Sequence, residues 1–181
     1  MIPEFVNFMF VDFETTGVKT DSFSNGSLPI EIGCIFTDHN LVIKDTYERF
    51  IWWDDFDKIN MWSENSDFYE AYKIHNIEFK TIKKYGVYPH KIAEELVAKI
   101  YDKDTFTIVS DNAYFETFFL HKIFNYSYLK FPFHYTSWDI NLLLKVAGTN
   151  KIKNHKHRAL DDAANMYHRT LRSLEKLNYF E

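Results

Sequence analysis

The first fifty residues carry three apolar segments that predict neighbouring β-strands. Residues 7–17, NFMFVDFETTG, form an almost continuous apolar run that breaks at a Thr-Thr-Gly turn. Residues 28–37, LPIEIGCIFT, predict a second buried strand, and residues 40–51, NLVIKDTYERFI, alternate well enough to predict a third. Because only the short polar turn TDHN separates the last two, we expect them to form an antiparallel hairpin.

Helical spacing of apolar residues dominates the rest of the chain. Pro89 opens the amphipathic segment PHKIAEELVAKIYD, and Gly148 ends the apolar segment SWDINLLLKVAG. Beyond the three strands the pattern predicts an irregular stretch at residues 52–67, a strand at 105–110, and helices at 68–74, 89–102, 112–124, 137–148 and 158–177. This order predicts a mixed α/β sheet with helices packed on it, in a single domain over residues 1–181.

Composition narrows the class of protein. With 181 residues and 46% apolar side chains, the chain can build one sizeable core. No apolar run is long enough to cross a bilayer and the N-terminal segment has no basic leader, so we expect neither a signal peptide nor a membrane anchor. The single cysteine, Cys34, predicts a buried thiol in a reducing, cytoplasmic compartment.

The net charge of −5 is unevenly distributed. Residues 52–70 hold six acids and one lysine, whereas residues 145–158 hold five basic residues, two histidines and no acid. Such runs are usually solvated surface loops. The basic run becomes a candidate anion-binding surface only if it lies beside a site that handles anions.

Two acids interrupt the first predicted strand. Asp12 and Glu14 are two residues apart, so both side chains leave the same face of the strand. Neighbouring carboxylates repel each other, and both resist burial beside a core. A divalent cation such as Mg²⁺ or Mn²⁺ removes that conflict, because it takes hard oxygen ligands at short spacing. The simpler alternative is a D-x-E that merely ends a strand at the surface.

A second polar group stands at the start of the last predicted helix. In NHKHRALDDAANM, His157 precedes Asp162 by five residues. A histidine that titrates near neutrality is a natural acceptor for a water proton, and Asp162 could supply a third metal oxygen. Alternatively, Asp161 and Asp162 favour the positive end of a helix dipole, and the histidines belong to a solvated basic loop.

Taken together, VDFETTG and HRALDDA resemble the first and third motifs of the DEDD superfamily of 3′→5′ exonucleases, in its histidine-containing (DEDDh) branch. That branch includes the proofreading exonuclease subunits of DNA polymerases, oligoribonuclease and RNase T. PIEIGCIF is similar to the family's second strand, YKIHNI to its His-Gly-Ile element, and SWDINLLLKVAG to the helix that follows a family Asp. The resemblance extends from residue 8 to about residue 170.

The resemblance implies an RNase H-like fold, with a mixed central sheet whose first strands are antiparallel, flanked by helices. It also implies two divalent ions, Mg²⁺ or Mn²⁺, held by four acids. Asp12 would contact both ions, Glu14 and Asp162 one each, and His157 would be the general base. One ion would lower the pKa of the attacking water, and the other would stabilise the leaving 3′-oxygen.

The resemblance further implies a substrate surface around the acids. The residues expected to approach the terminal nucleotide, or to open the second family motif, are Phe13, Thr15, Thr16, Gly17 and Asn112. The basic run would then lie beside the site, which makes its lysines candidates for backbone phosphate contacts: Lys151, Lys153 and Lys156.

The second motif departs from the family pattern. In NAYFE, Glu116 stands where the family usually has Asp. Glu116 could serve as the fourth acid with one more methylene; Asp111 could replace it, although its position predicts an ordinary helix N-cap; or the site is damaged. We favour the first alternative, because the other three acids and the histidine are present.

Two functions follow as hypotheses. The leading one is a metal-dependent 3′→5′ exonuclease that acts on single-stranded or frayed DNA or RNA ends and releases nucleoside 5′-monophosphates. The second is a nucleic-acid-binding or interaction module with an attenuated site, motivated by Glu116 and by the aromatic run FIWWDDFDKINMW, although that run is better explained as partly core. The sequence leaves open DNA against RNA, and association as a homodimer or with a polymerase.

Overall fold

The computed structural model describes residues 6–20, 26–57, 67–100, 105–149 and 157–179. Its strands are β1 Val6–Thr15, β2 Pro29–Thr37, β3 Ile43–Phe50, β4 Thr105–Ser110 and β5 Ser137–Asp139. Its α-helices are α1 Asp67–His75, α2 Phe79–Tyr85, α3 Pro89–Lys99, α4 Ala113–Tyr126, α5 Ile140–Ala147 and α6 Ala159–Lys176.

The strands form one mixed sheet in the order β3-β2-β1-β4-β5. β2 is antiparallel to both β1 and β3, and the β2–β3 pair is the predicted hairpin. β4 runs parallel to β1, and β5 runs parallel to β4. The predicted mixed α/β sheet with antiparallel first strands is therefore confirmed.

β1 is the central strand because both of its faces are apolar. Phe8 and Phe10 lie in a buried cluster with α5 and α6, whereas Met9, Val11 and Phe13 lie in a second cluster with α3 and α4. Pairing of β1 with β4 ends at Phe10, so the last residues of β1 extend beyond the end of that neighbour. The carboxyl end of β1 is consequently open on that side, and Asp12 and Glu14 lie there.

The predicted helix over residues 137–148 is wrong at its start. Ser137–Asp139 form the short parallel strand β5, and α5 begins only after Asp139. The Asp139 carboxylate accepts a hydrogen bond from the Asn141 backbone amide at 2.8 Å, which caps the helix at this point. The predicted end is confirmed, since Gly148 follows α5 in the left-handed conformation at a φ of 61°.

The stretch predicted as irregular contains structure that its pattern did not indicate. A short 3₁₀ helix covers Asp54–Asp57, and α2 follows α1 without having been predicted. Trp53 and Phe56 are buried, which supports the interpretation of this aromatic run as partly core; residues 58–66 lie outside the described residues.

Cys34 is buried as expected. Among the described residues, no helix combines the length and apolar character needed to cross a membrane.

Candidate active site

The carboxyl end of β1 places two acids on the sheet face that α6 covers. Asp12 lies opposite Gly33 of β2, and Glu14 lies opposite Glu31. The pairing with β2 then shifts register between Glu14 and Thr15. Such irregularities commonly redirect the side chains beside active sites.

Three of the predicted site residues converge on one point. Glu14, His157 and Asp162 each offer a ligand atom, and these atoms all lie within 4.8 Å of one another. His157 comes just before α6 and has a left-handed backbone with a φ of 52°. Asp162 lies in the first turns of α6, where its backbone amide donates to the Arg158 carbonyl at 3.0 Å. The structure therefore brings the strand motif and the helix motif together.

The first acids of the site are electrostatically crowded. Burial raises the pKa of Asp12 well above its ordinary value, and the charges of Glu14, Asp162 and Asp111 raise it further. Burial also raises the pKa of Glu14 to about 8, with added effects of Glu31 and Asp162, while Arg158 acts in the opposite direction. Carboxyls this close favour a shared proton or a cation.

Glu116 approaches the same acids from the other side of β1. It lies in the first turn of α4 and is only 5% exposed. Its carboxylate accepts a hydrogen bond from the Phe13 backbone amide, while burial and the charges of Asp12 and Glu14 raise its pKa. Its second oxygen, Oε2, is buried and has no hydrogen-bond partner within the part of the chain that the structure describes.

The donors present fit a divalent cation. Glu14, His157 and Asp162 form a close group that supplies two carboxylates and one imidazole. Mn²⁺ and Zn²⁺ bind both kinds of ligand, whereas Mg²⁺ binds the carboxylates. The buried, unpartnered Oε2 of Glu116 provides a further oxygen beside Asp12. Asp12 and Glu116 are not members of the close group itself, although their pKa values respond to it.

The prediction that Asp111 caps α4 is wrong. The N-cap is Asn112, whose Oδ1 accepts from the Phe115 amide at 3.4 Å. Asp111 instead pairs with Arg169 of α6, with a separation of 2.7 Å between Arg169 Nη1 and Asp111 Oδ2. Asn112 is thus explained by local capping, and Asp111 by an ion pair with α6.

Phe13, Thr15, Thr16 and Gly17, which were predicted to meet the terminal nucleotide, all have contacts within the protein. The Phe13 side chain packs in the core against Phe119, with ring centroids 6.0 Å apart, so only its backbone is near the acids. Thr15 Oγ1 donates to the Gly17 carbonyl at 2.6 Å, and Gly17 has a φ of 154°, where a side chain would be strained. Thr16 pairs with Leu28 through both its backbone amide and its Oγ1. The predicted Lys151, Lys153 and Lys156 lie outside the described residues.

A cavity of about 240 Å³ opens beside Glu14. Its lining is mainly apolar and includes Thr15, Gly17, Val18, Ile74 and His75.

His75 belongs to the segment that resembles the family's His-Gly-Ile element. Its Nδ1 accepts from the Ile77 amide at 2.9 Å, and burial together with His157 lowers its pKa to about 4. Asn76 stands at the Gly position with a φ of 53°, a conformation that asparagine tolerates better than most residues. The turn therefore keeps its backbone without the glycine.

Sequence reasoning missed Glu31 and its partner Arg158. The apolar pattern places Glu31 only in a predicted strand, and the charge pattern places Arg158 only in a basic run. The available indication was a single charged residue inside an otherwise apolar strand, because a buried carboxylate requires a partner.

Comparison with known proteins identifies a family and a fold for the chain. The sequence model of the RNase T family, described as exonuclease, matches residues 9–169. The nuclease domain of 3′hExo, a DEDDh family member bound to rAMP, is similar with a TM-score of 0.69 and 16% identity, over 97% of this chain and 94% of that one. Zinc-ion-bound E. coli ExoI with ssDNA is similar with a TM-score of 0.69 and 16% identity, over 96% of this chain and 42% of that one.

A full-length 3′-exonuclease is also similar, with a TM-score of 0.64 and 18% identity, over 93% of this chain and 60% of that one. The chain thus spans nearly all of the 3′hExo domain but less than half of the ExoI chain. No curated protein sequence matches it significantly. The structural likenesses establish the fold, and the family match covers well over half of the chain. The chain therefore belongs to the RNase T exonuclease family and is a hydrolase.

Proposed function

We propose that this exonuclease degrades single-stranded or frayed DNA or RNA from the 3′ end, using two divalent ions and His157 as the general base. The products would be nucleoside 5′-monophosphates and a strand shortened by one nucleotide. The observation that carries the proposal is the convergence of Glu14, His157 and Asp162 within 4.8 Å, beside the buried carboxyls of Asp12 and Glu116.

In this proposal the acids divide the work of holding the ions. Asp12 would serve both the α6 side and the α4 side of the site, because the charges of Glu14 and Asp162 raise its pKa and its own charge raises the pKa of Glu116. Glu14 and Asp162 would hold an ion on the α6 side, and the Oε2 of Glu116 would contribute on the α4 side. When bound, the ions supply Lewis acidity that activates water and stabilises charge on the leaving oxygen.

His157 takes the proton of the attacking water. The water oxygen forms a bond to the terminal phosphorus, the bond from phosphorus to the 3′-oxygen of the preceding nucleotide breaks, and that oxygen takes a proton from solvent. A general base contributes best when its pKa lies near the working pH, which suits histidine. The left-handed backbone at residue 157 supports this role, because strained conformations are often retained where a side chain must be aimed.

The terminal nucleotide would occupy the cavity beside Glu14. Its apolar lining suits a sugar and a base, while the acids and their ions at one wall suit the phosphate. 3′hExo with rAMP and ExoI with ssDNA are relatives in fold whose bound molecules fit this assignment. We further propose that Lys151, Lys153 and Lys156 contact backbone phosphates, which gives affinity without sequence preference.

The test is the degradation of matched DNA and RNA strands with Mg²⁺ or Mn²⁺. A 5′-labelled strand should give a ladder that shortens from the 3′ end, while a 3′-labelled strand should release its label as a mononucleotide at once. EDTA should stop both reactions. The proposal is contradicted if neither DNA nor RNA is cleaved with Mg²⁺ or with Mn²⁺, or if the 5′ label is released first.

The second candidate is a binding module in which Glu116 attenuates the site. It is favoured if a 3′-tailed strand binds without metal and is not cut, and if Glu116→Asp cleaves much faster than the parent protein. The partnered backbone contact and free oxygen of Glu116 support the catalytic assignment instead.

A further inference from the structure

Glu31 is a charged residue in a strand that is otherwise apolar and wholly buried. Its side chain is 0% exposed, and it lies directly opposite Glu14 across the β1–β2 pair. A carboxylate is strongly destabilised by such burial unless its oxygens are paired. The partners of Glu31 therefore indicate why the residue is there.

Both oxygens of Glu31 are engaged by the start of α6. Arg158 Nε donates to Oε1 at 3.0 Å and to Oε2 at 3.1 Å, and Arg158 Nη2 donates to Oε1 at 2.5 Å. The backbone amide of Ala159 donates to Oε2 at 3.1 Å. With these bonds in place, Glu31 attaches the start of α6 to β2 rather than serving as a further ligand for an ion. This attachment of Glu31 to Arg158 and to the Ala159 amide is the fastening of α6.

The fastening replaces the usual helix cap. Arg158 is the N-cap of α6 but makes no side-chain capping bond. The Ala159 amide is one of the first-turn donors that a helix leaves unsatisfied, and Glu31 satisfies it from a different element. Its negative charge also lies at the positive end of the helix dipole.

Gly33 completes the seat for the helix. It is two residues beyond Glu31 on the same face of β2, and a Cβ there would lie 2.1 Å from the Leu160 backbone nitrogen and 2.2 Å from the Ala159 carbonyl carbon. The first turn of α6 is thus pressed on the strand at one residue and bonded to it at the other. The helix start has little freedom to slide or tilt.

We infer that Glu31 is a positioning residue, which fixes the start of α6 so that His157 and Asp162 meet Glu14. His157 immediately precedes the residue that Glu31 holds, and Asp162 follows Ala159 by three positions. The consequence for cleavage rests on the proposed function, whereas the fastening itself does not.

The fastening is tested by amide hydrogen exchange at Ala159, which needs no nuclease activity. First-turn amides normally exchange quickly, but this amide should be protected in the wild-type protein and should lose at least about tenfold of that protection in Glu31→Ala. Glu48→Ala is the matched control: Glu48 also contacts Arg158, at 3.3 Å, but its side chain is 41% exposed, and the Ala159 amide donates to Glu31. Its Ala159 protection should stay within about twofold of wild type.

The effect on cleavage is tested with Glu31→Gln, which keeps the shape and one oxygen acceptor. Small displacement of catalytic groups lowers the rate steeply, so kcat at saturating Mn²⁺ should fall about 10- to 100-fold, with KM changed by less than about threefold. Tyr167→Phe controls for loss of stability in the same helix, because it removes the 3.0 Å bond to the Leu41 carbonyl in the turn between β2 and β3. The kcat of Tyr167→Phe should equal that of wild type, even if its melting temperature falls as far as that of Glu31→Gln.

The outcomes separate the two claims. An unprotected Ala159 amide in wild type, or unchanged protection in Glu31→Ala, overturns the fastening. If Ala159 loses protection as expected but kcat stays at the wild-type value in both Glu31→Gln and Glu31→Ala, the positioning role is overturned. If the wild-type protein cleaves nothing, the proposed function fails, while the exchange result still decides whether Glu31 fixes the start of α6.

Discussion

The two helices that complete the site are attached to the sheet in different ways. α6 carries Asp162 and is directly preceded by His157, and its first turn is held by the ion pair and the backbone bond of the buried Glu31. α4 carries Glu116, which accepts one bond from a β1 amide, and the helix also packs on β1 through the rings of Phe119 and Phe13. α6 is bonded to the sheet through the backbone of its first turn, whereas α4 is bonded to β1 at Glu116 through a side chain.

This difference explains where the chain departs from its family. The motif on α6 keeps the family's residue types and spacing, whereas the acid on α4 is longer by one methylene. A carboxylate held by a single hydrogen bond can absorb that length through a rotamer change. A helix start pressed against a strand backbone has no equivalent freedom, because a shift there moves every side chain of the turn.

The largest effect is expected on the α6 side, from Asp162→Asn. Loss of the charge of this proposed ligand should lower kcat/KM at least about a thousandfold, since several kcal/mol of charge stabilisation are removed. The matched control is Asp161→Asn at the adjacent position, which lies outside the close group of donors. Steady-state cleavage assays should leave Asp161→Asn within about threefold of wild type. Equal losses in the two variants contradict the assignment of Asp162.

His157→Gln should follow, with kcat lowered about 100- to 10,000-fold, the range supplied by a general base. Binding of a 3′-ended strand, measured with Ca²⁺ in place of the active ion, should change little. His168→Gln is a control on the exposed side of the same helix and should keep wild-type rates. Retention of more than about a tenth of the rate in His157→Gln excludes it as the base.

Variants of Glu116 should have a smaller effect than those on α6. Glu116→Gln can keep the bond to the Phe13 amide but loses the charge, and we expect its kcat to fall about 10- to 100-fold. Glu116→Asp keeps the charge but shortens the reach, and its kcat should stay within about tenfold below wild type. If Glu116→Asp is faster than the parent protein, the glutamate at this position lowers the activity of the chain.

The smallest expected effect is on stability, and it follows from the pKa of Glu14. That pKa is raised from 4.5 to about 8 by burial, Glu31 and Asp162, so between these values the folded protein binds a proton that the unfolded chain does not. The free energy of unfolding therefore falls as pH rises through this window. His75, whose pKa is lowered to about 4, acts in the opposite direction only up to its ordinary value of 6.5.

The corresponding measurement is thermal unfolding in EDTA between pH 6.5 and 8.5, where His75 no longer contributes. Wild type should lose stability over this range, Glu14→Gln should lose less, and Mn²⁺ should restore stability at the upper end, because it binds the ionised folded state. Parallel pH slopes for wild type and Glu14→Gln contradict the raised pKa.

Much of the fold could be predicted because it follows from local patterns. The apolar runs indicated β1, β2 and β4, the short TDHN turn indicated the hairpin, and the periodic segments indicated α3 and α6. β5 could not be predicted, because three residues carry no period and Trp138 adjoins a strongly apolar helix. The short α2 lacks a side-chain cap, so its start has no sequence mark.

The site was predictable to the extent that motifs record it. Asp12, Glu14, His157 and Asp162 stand in recognisable order, and the structure places the last three together. The roles of Asp111 and Glu31 depend on partners more than fifty residues away, Arg169 and Arg158, and no local spacing reveals such pairs. Long-range ion pairs become visible only when the fold has brought the chain together.

The most direct measurement is a crystal structure with Mn²⁺ and a nucleoside 5′-monophosphate. Anomalous scattering should locate Mn²⁺ with carboxylate oxygens of Asp12, Glu14 and Asp162 at roughly 2.1 Å, the distance expected for a small divalent ion. Oε2 of Glu116 should face the ions directly or through one water, and the nucleotide should occupy the cavity beside Glu14. Mn²⁺ bound elsewhere, or Oε2 of Glu116 turned to a protein donor in the loaded site, contradicts the assignment of these four acids.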